Sequence, residues 1–180
     1  MSRKPPIVHA TRTVAQSRIF RVEELELEFS NGTRTQYERI AGSAKGAVLI
    51  IAMPDPEHFY LVREYGAGSE RYELSFPKGR LEMGEDVLEG ANREIMEELG
   101  YGANRMEELK ELSLSPGYLR SRSHIVLAQD LYPQSMEGDE PEELDVSLWS
   151  LNDVDQLLTH PEFTDARGIA ALLLLERRFK

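Results

Sequence analysis

The stretch GRLEMGEDVLEGANREIMEELGY, residues 79–101, joins a glycine-containing loop to a short amphipathic helix. The helix is predicted to run from about Asp86 to Leu99 and to end at Gly100, because glycine tolerates the left-handed backbone that closes a helix. At about 100° per residue, one arc of the helix is apolar, with Leu88, Ala91, Ile95 and Leu99. The adjoining arc is acidic, so one face should pack and the next should attract cations.

The acidic arc consists of Glu94, Glu97 and Glu98. Like charges at this spacing repel each other by roughly a few tenths of a kcal/mol per pair, so the cluster costs stability unless a cation binds it. Carboxylate oxygens suit Mg²⁺ or Mn²⁺, and Mg²⁺ also binds substrate phosphates in the same site. For an arbitrary acidic helix a solvated face is the usual interpretation. The surrounding residues favour a metal site instead.

Those surrounding residues fit the pattern G-x(5)-E-x(7)-R-E-U-x-E-E-x-G-U, where U is a bulky apolar residue. The pattern is matched at Gly79, Glu85, Arg93, Glu94, Ile95, Glu97, Glu98, Gly100 and Tyr101. The segment resembles the Nudix box, the signature of the Nudix hydrolases. Tyr101 is the one departure, since an aliphatic residue is usual there, and it concerns packing rather than chemistry.

The resemblance implies a loop-helix-loop in an α/β/α sandwich that cleaves a nucleoside diphosphate linked to another group, X. By position, Glu94 and Glu98 would be the principal metal ligands, and Glu97 would be a further ligand or a catalytic group that orients water. The backbone carbonyl of Lys78, just before the box, would be another ligand. Metal ions can neutralise the pyrophosphate and activate a water for attack at phosphorus.

The remaining box positions are expected to be structural. The resemblance implies that Arg93 pairs with Glu85 and holds the loop against the helix. Gly79 would let the loop backbone bend close to the metal, and Gly100 would end the helix.

Residues outside the box indicate the substrate. Pro116 lies where family members that cleave ADP-ribose typically have a proline, and Tyr118 resembles the tyrosine of diadenosine polyphosphate hydrolases. Taken alone, either residue would be an ordinary turn proline or half-buried tyrosine. Arg63, in a segment that matches the ADP-ribose pyrophosphatase group, is the expected contact to substrate phosphate or ribose; the alternative is a surface ion pair with Glu64 or Glu73.

The acidic stretch MEGDEPEEL, residues 136–144, has no apolar periodicity and is predicted to be a loop. The ADP-ribose pyrophosphatase group places its catalytic loop here. Glu140 is the candidate base for the attacking water and Glu142 a further metal contact, because a mobile loop can bring either to the metal on closure. An acidic surface loop without a catalytic role is the alternative.

The same group builds a dimer from N-terminal strands, which also contribute to the partner's site. By this resemblance, residues 1–43 are expected to be a strand extension for dimerisation, and residues 44–180 the hydrolase domain. The chain would then be a homodimer. The resemblance extends over nearly the whole chain and implies ADP-ribose, NADH and diadenosine di- and triphosphates as the substrate class.

The rest of the chain predicts mostly strands. Alternation around Asn31-Gly32 predicts a hairpin within residues 20–40, and a second strand pair is predicted at 46–53 and 58–65. Further strands are predicted at 106–115, 123–132 and 144–151. A short helix is predicted over Leu151 to Leu158, because Ser150 and Asp153 have the spacing of a capping box. A last helix is predicted from Asp165 to Phe179, with Ala170, Leu173 and Leu174 on its buried face. Strands first, then one helix between strands, indicate a mixed α+β fold rather than a doubly wound parallel sheet.

Composition excludes several classes of function. The 180 residues include no cysteine, which excludes disulfides and thiolate metal sites and suits a cytoplasmic location. The four histidines are scattered without ligand spacing. A net charge of -11 would repel nucleic acid over most of the surface. No apolar run is long enough for a bilayer, and the N-terminus lacks a secretory signal, so no membrane association is expected.

The leading hypothesis is therefore a Mg²⁺-dependent pyrophosphohydrolase that releases AMP from ADP-linked compounds. One alternative is a hydrolase acting on capped or triphosphorylated RNA ends, which the acidic composition disfavours. Another is a catalytically silent Nudix fold that senses a nucleotide. The intact set of Glu94, Glu97 and Glu98 argues against silence, because a sensor does not need all three.

Overall fold

The computed structural model describes residues 4–42, 46–138 and 141–179. The strands are β1 (Ile7–Gln16), β2 (Arg21–Glu28), β3 (Arg34–Ala41), β4 (Ala47–Ala52), β5 (His58–Gly66), β6 (Arg71–Ser75), β7 (Lys78–Arg80), β8 (Tyr101–Ser113), β9 (Leu119–Arg120), β10 (Arg122–Pro133) and β11 (Asp145–Ser150). The α-helices are α1 (Val87–Glu98), α2 (Val154–Leu158) and α3 (Ala166–Phe179), with a 3-10 turn at Leu151–Asp153. Mixed sheets with few helices confirm the predicted α+β class.

The chain divides into two compact units, and the first contains residues 1–44 with 113–122. Its sheet has the order β1-β2-β3-β9. The predicted hairpin is present as antiparallel β2 and β3, with Gly32 at φ +81° in the turn. Strand β1, paired antiparallel with β2, lies within the strand extension expected from the resemblance, but no alternation in the sequence indicated its position. Its side chains are almost all exposed, so it lacks the alternation that burial of one face produces.

The second unit, residues 45–112 with 123–180, contains two sheets with the orders β7-β4-β10-β8 and β11-β5-β6. The second strand pair was predicted wrongly: β4 and β5 exist, but they lie in different sheets. Strand β4 pairs in parallel with β10 and antiparallel with β7, whereas β5 pairs with β6 and β11. A turn signal between two strands shows that the chain reverses, and it does not show which strand becomes the hydrogen-bonding partner.

Strand β4 is buried on both of its faces. Leu49 and Ile51 join a core that includes α3, whereas Val48 and Ile50 join a core that includes α1. A strand covered on both sides reads as a continuous apolar run rather than an alternating one. The sheet therefore carries a helix on each face, which is the sandwich predicted above.

Helix α3 was predicted at the correct place but with the wrong buried face. Gly168, Ala171, Leu172 and Leu175 are the buried residues. Leu173 is 42% exposed, and Ala170 and Leu174 are only partly buried. Leu172, Leu173, Leu174 and Leu175 are consecutive and equally apolar. The sequence therefore does not determine which of them face the core. The capping box of Ser150 and Asp153 is present at the 3-10 turn.

Among the described residues, no helix has the length and apolar character needed to span a bilayer.

Candidate active site

Helix α1 begins and ends as its sequence predicts. The side chain of Asp86 accepts a hydrogen bond from the Leu88 N–H at 2.9 Å, which satisfies one of the free donors of the first turn. Gly100 has φ +74°, the left-handed conformation that suits glycine after a helix. Ala91 and Ile95 are fully buried against the sheet, so the acidic arc of the helix is fixed in orientation by its apolar arc.

Arg93 is the centre of a carboxylate network on this helix. Its Nε donates to Glu85 at 2.9 Å, and its Nη1 lies 2.8 Å from Glu97 and 2.9 Å from Glu94. Its Nη2 also donates to the carbonyl oxygen of Arg80 at 3.1 Å. The hydrogen bond to Glu85, more than any other contact, raises the pKa of Arg93 above its ordinary value. The pairing of Arg93 with Glu85 expected from the sequence is thus present in the geometry, and Arg93 reaches two further acids.

Gly79 is required by the approach of Glu94. A Cβ atom added at position 79 would lie 1.9 Å from the carboxyl group of Glu94, much closer than any real contact. Glu94 is itself only 7% exposed. The loop backbone and a buried carboxylate therefore share a space that only glycine leaves open.

A cavity of about 810 Å³ opens over this arrangement. Among the described residues, six glutamates and three cationic side chains line it: Glu64, Glu82, Glu94, Glu97, Glu98, Glu137, Lys78, Arg80 and Arg93. The Lys78 N–H approaches the Glu98 carboxylate at 3.3 Å. The cavity is named the carboxylate cavity below.

The carboxylate cavity suits a hard divalent cation by the type of its donors. Carboxylate oxygens are the ligands that Mg²⁺ and Mn²⁺ prefer, and a volume of this size leaves room for a phosphorylated ligand. Within residues 4–42, 46–138 and 141–179, no three acidic or histidine side chains converge on one point as a cation would require. Arg93 engages oxygens of Glu94 and Glu97. The acids are thus gathered in one cavity, with a guanidinium compensating their charge.

The structure places Arg63 in a contact that the sequence did not indicate. Its guanidinium donates to Glu162 at 3.0 Å, lies 3.6 Å from Asp145 and stacks on the ring of Tyr72 at 4.7 Å. The alternative ion pair with Glu64 or Glu73 was therefore wrong. Glu162 is distant in sequence, and only the folded chain brings it to β5.

The two glutamates of the acidic loop have different outcomes. Glu140 lies outside the described residues. Glu142 accepts a hydrogen bond from the Tyr72 hydroxyl at 2.7 Å, and this hydrogen bond raises the pKa of Tyr72. Glu142 does not line the carboxylate cavity. Described residues of the predicted loop, 136–138 and 141–144, have no helix or strand.

Pro116 and Tyr118 belong to the first unit, where they line a groove together with Tyr37 and Arg120. Tyr118 is 74% exposed. Their expected role at the substrate remains a prediction.

Several cavity residues were not predicted from the sequence, among them Glu64 and Glu137. Glu64 follows Arg63 on β5, and neighbouring residues of a strand point to opposite faces, so a signal for Glu64 existed in the alternation. Glu137 lies in the acidic stretch, where the sequence does not distinguish one acid from the next. Both line the carboxylate cavity.

Comparison with protein families agrees with this geometry. The NUDIX domain model matches residues 44–172, and the model of the NudE-type Nudix hydrolase N-terminal domain matches residues 6–39. The chain therefore belongs to the Nudix hydrolase family, and the resemblance recognised in the box is confirmed.

The relatives are more specific. The chain is 49% identical to ADP compounds hydrolase NudE of Escherichia coli (strain K12), over 98% of this chain and 94% of that protein. It is 30% identical to the ADP-ribose pyrophosphatase of Bacillus subtilis (strain 168), over 92% of both. A crystal structure of an ADP compounds hydrolase superposes with a TM-score of 0.90 at 48% identity, covering 99% of this chain and 96% of that one.

Proposed function

We propose that this protein is a divalent-metal-dependent pyrophosphohydrolase that cleaves ADP-linked compounds and releases AMP. The observation that carries the proposal is the carboxylate cavity, which gathers the box glutamates beside a glycine-lined loop. The similarity to an ADP compounds hydrolase and to an ADP-ribose pyrophosphatase supports adenine diphosphate compounds as substrates. ADP-ribose, NADH and diadenosine di- and triphosphates are the proposed class.

Glu94, Glu97, Glu98 and the Lys78 carbonyl would hold the metal, which is Mg²⁺ or Mn²⁺. A bound metal supplies charge neutralisation at the pyrophosphate and lowers the pKa of a coordinated water. Glu97 would be a metal ligand or would orient a water, and Glu140 remains the candidate base, with Glu142 as the further contact proposed from the loop. Glu137 lines the cavity three residues before Glu140, which supports a catalytic position for this loop.

Arg93 is also proposed to compensate the negative charge of the neighbouring acids. To hold a metal, Glu94 and Glu97 would have to release the guanidinium, and Arg93 could keep its hydrogen bond to Glu85. Because Arg93 stays positively charged, it limits the repulsion among the acids before the metal binds. The guanidinium thereby keeps Glu94 and Glu97 close together.

Outside the cavity, Arg63 in the second unit is one proposed substrate contact, and Pro116 and Tyr118 in the first unit are proposed separately. For Arg63 to contact a phosphate, its bond to Glu162 must open, and the exposed fraction of its side chain, 37%, permits this exchange. The ring of Tyr118 would contact adenine. The guanidinium of Arg63 would contact ribose or phosphate.

A homodimer is proposed through residues 1–43. Exposed apolar side chains on β1 and the turn after it support this: Ile7, Val8, Val14, Ile19 and Phe20 are each at least 49% exposed. An apolar strand surface of this kind is typical of protein–protein contacts. A cytoplasmic location is proposed from the absence of cysteine.

The test incubates the purified protein and Mg²⁺ separately with ADP-ribose, NADH and diadenosine triphosphate, and quantifies AMP. Release of AMP that stops when the metal is chelated is the expected result. Absence of AMP from all three would refute the proposal. Release of pyrophosphate from triphosphorylated RNA without any AMP would favour the RNA-end alternative.

A further inference from the structure

A second cavity adjoins the carboxylate cavity in the same unit. It measures about 290 Å³ and is lined by residues from the end of β5, from β6 and from the start of α3. Both cavities are lined by Glu64 and Lys78, and in the part of the chain that the structure describes they share no other residue. These two side chains therefore form the wall between the cavities.

The wall consists of side chains held by an ion pair. The Lys78 ammonium donates to the Glu64 carboxylate and, at 3.2 Å, to the Ser75 hydroxyl. Ser75 is only 2% exposed, so it anchors one end of this bridge in the protein interior. The Lys78 N–H meanwhile approaches Glu98. Lys78 thus contacts α1 through its backbone N–H, and its side chain separates the second cavity from the carboxylate cavity.

The second cavity has the chemistry that recognises sugar hydroxyls. Thr164 donates to Glu73 at 2.9 Å, and Arg167 donates to Asp165 at 2.6 Å. The pKa values of both carboxyls lie below their ordinary range: Arg71 lowers that of Glu73, and at Asp165 burial raises the pKa but the contacts of Arg167 outweigh it. Ionised carboxylates accept hydrogen bonds from hydroxyl donors. Tyr65 adds an aromatic ring to the lining.

The size of the second cavity restricts what it can hold. Sites that enclose a whole drug-sized ligand measure about 300–1,000 Å³, and the second cavity, at about 290 Å³, lies at the lower end of this range, which suits one end of a larger ligand. Because its neighbour is the cavity proposed to hold the pyrophosphate, the group that would enter the second cavity once the wall opens belongs to X.

We propose that Lys78 is a specificity-determining residue, and that its bridge to Glu64 and Ser75 closes a subsite for the hydroxyl-bearing end of X. The inference rests on the proposed function, since it concerns which ADP-linked compounds are cleaved. A shorter residue at position 78 joins the two cavities and admits a larger X. Lysine restricts the site to smaller ones.

The test compares kcat/KM for diadenosine triphosphate, which has the larger X, with kcat/KM for ADP-ribose. In Lys78→Ala, the ratio of the two should rise by at least about tenfold, the effect expected of a changed pocket contact. Lys78→Arg keeps length and charge and should leave the ratio within about threefold of the original value. If Lys78→Ala does not fold by circular dichroism, Lys78→Met replaces it, because it removes the ion pair that holds the wall.

A second substitution distinguishes the subsite from a general effect on the active site. Thr164→Val alone should leave the ratio unchanged, because the subsite is closed. In the double variant Lys78→Ala/Thr164→Val, the ratio of the two kcat/KM values should be at least about threefold lower than in Lys78→Ala alone. An unchanged ratio in the Lys78→Ala enzyme, with AMP still released, overturns the inference and leaves the proposed function intact. Absence of AMP from the unmodified protein with both compounds overturns the proposed function and the inference with it.

Discussion

Gly79 and Glu94 lie so close together that a methyl group at position 79 would fall 1.9 Å from the Glu94 carboxyl group. The glycine stands on β7 and the glutamate on α1. The first glycine of the box and Glu94, a proposed metal ligand, are therefore linked by a steric contact, since the glycine leaves the space that the glutamate fills.

Replacing Gly79 by Ala should displace Glu94 and lower both stability and activity. Overpacking of this kind costs about 1–3 kcal/mol in the free energy of unfolding. Urea unfolding and AMP release measure the two effects. Gly68→Ala is the matched control, because nothing lies within 4 Å of a Cβ at that position. Equal stability of the two variants would contradict the contact.

Replacing Arg93 by Ala should destabilise the protein by about 2 kcal/mol or more, because Glu85, Glu94 and Glu97 lose a shared cation in a half-buried site. The control is Arg178→Ala, which removes an exposed pair with Glu107 and should cost less than about 1 kcal/mol. Chemical unfolding of both variants provides the comparison. A smaller loss for Arg93 than for Arg178 would rule out the central role of Arg93.

Replacing Glu98 by Gln should reduce turnover by about 100-fold or more, since the amide loses the charge that a divalent cation requires. The melting temperature should stay nearly unchanged, because an amide oxygen still accepts from the Lys78 N–H. Glu89→Gln, an exposed substitution on the same helix, should retain activity. Full activity of the Glu98 variant would refute its proposed metal role.

Asp165 should contribute stability that disappears in acid. Burial raises its pKa, but the hydrogen bonds and charge of Arg167 outweigh burial, so the pKa of the folded protein is lowered. A lowered pKa gives stability above the ordinary value of about 3.9, and this stability is lost as pH falls below it. Asp165→Asn, which keeps the cap to the Arg167 N–H, should therefore differ from the unmodified protein most at neutral pH and least near pH 3. Urea unfolding at several pH values checks this, and a constant difference would contradict it.

The corrected face of α3 can be tested with neighbouring leucines. Leu172→Ala should cost about 2–5 kcal/mol, because Leu172 is fully buried. Leu173→Ala should cost less than about 1 kcal/mol, because Leu173 is 42% exposed. Thermal or urea unfolding distinguishes the two, and the reverse order would restore the face predicted from the sequence.

Local features of the chain were predictable where a short pattern decides the structure. The hairpin at Asn31-Gly32, the cap at Asp86 and the end of α1 before Gly100 depend on neighbouring residues alone. Partners that lie far apart in sequence were not predictable. The separation of β4 and β5 into two sheets and the pairing of Arg63 with Glu162 result from packing across the fold.

The sequence by itself determined the family, because the box combines chemistry and spacing within residues 79–101. It determined the α+β class and the acidic arc of α1, since periodicity is a local property. Only the tertiary structure decided how those acids are compensated, which face of α3 is buried, and that Glu64 and Glu137 join them. The physical reason is that a charge or an apolar surface acts on whatever the folded chain brings within a few ångströms, whatever the separation in sequence.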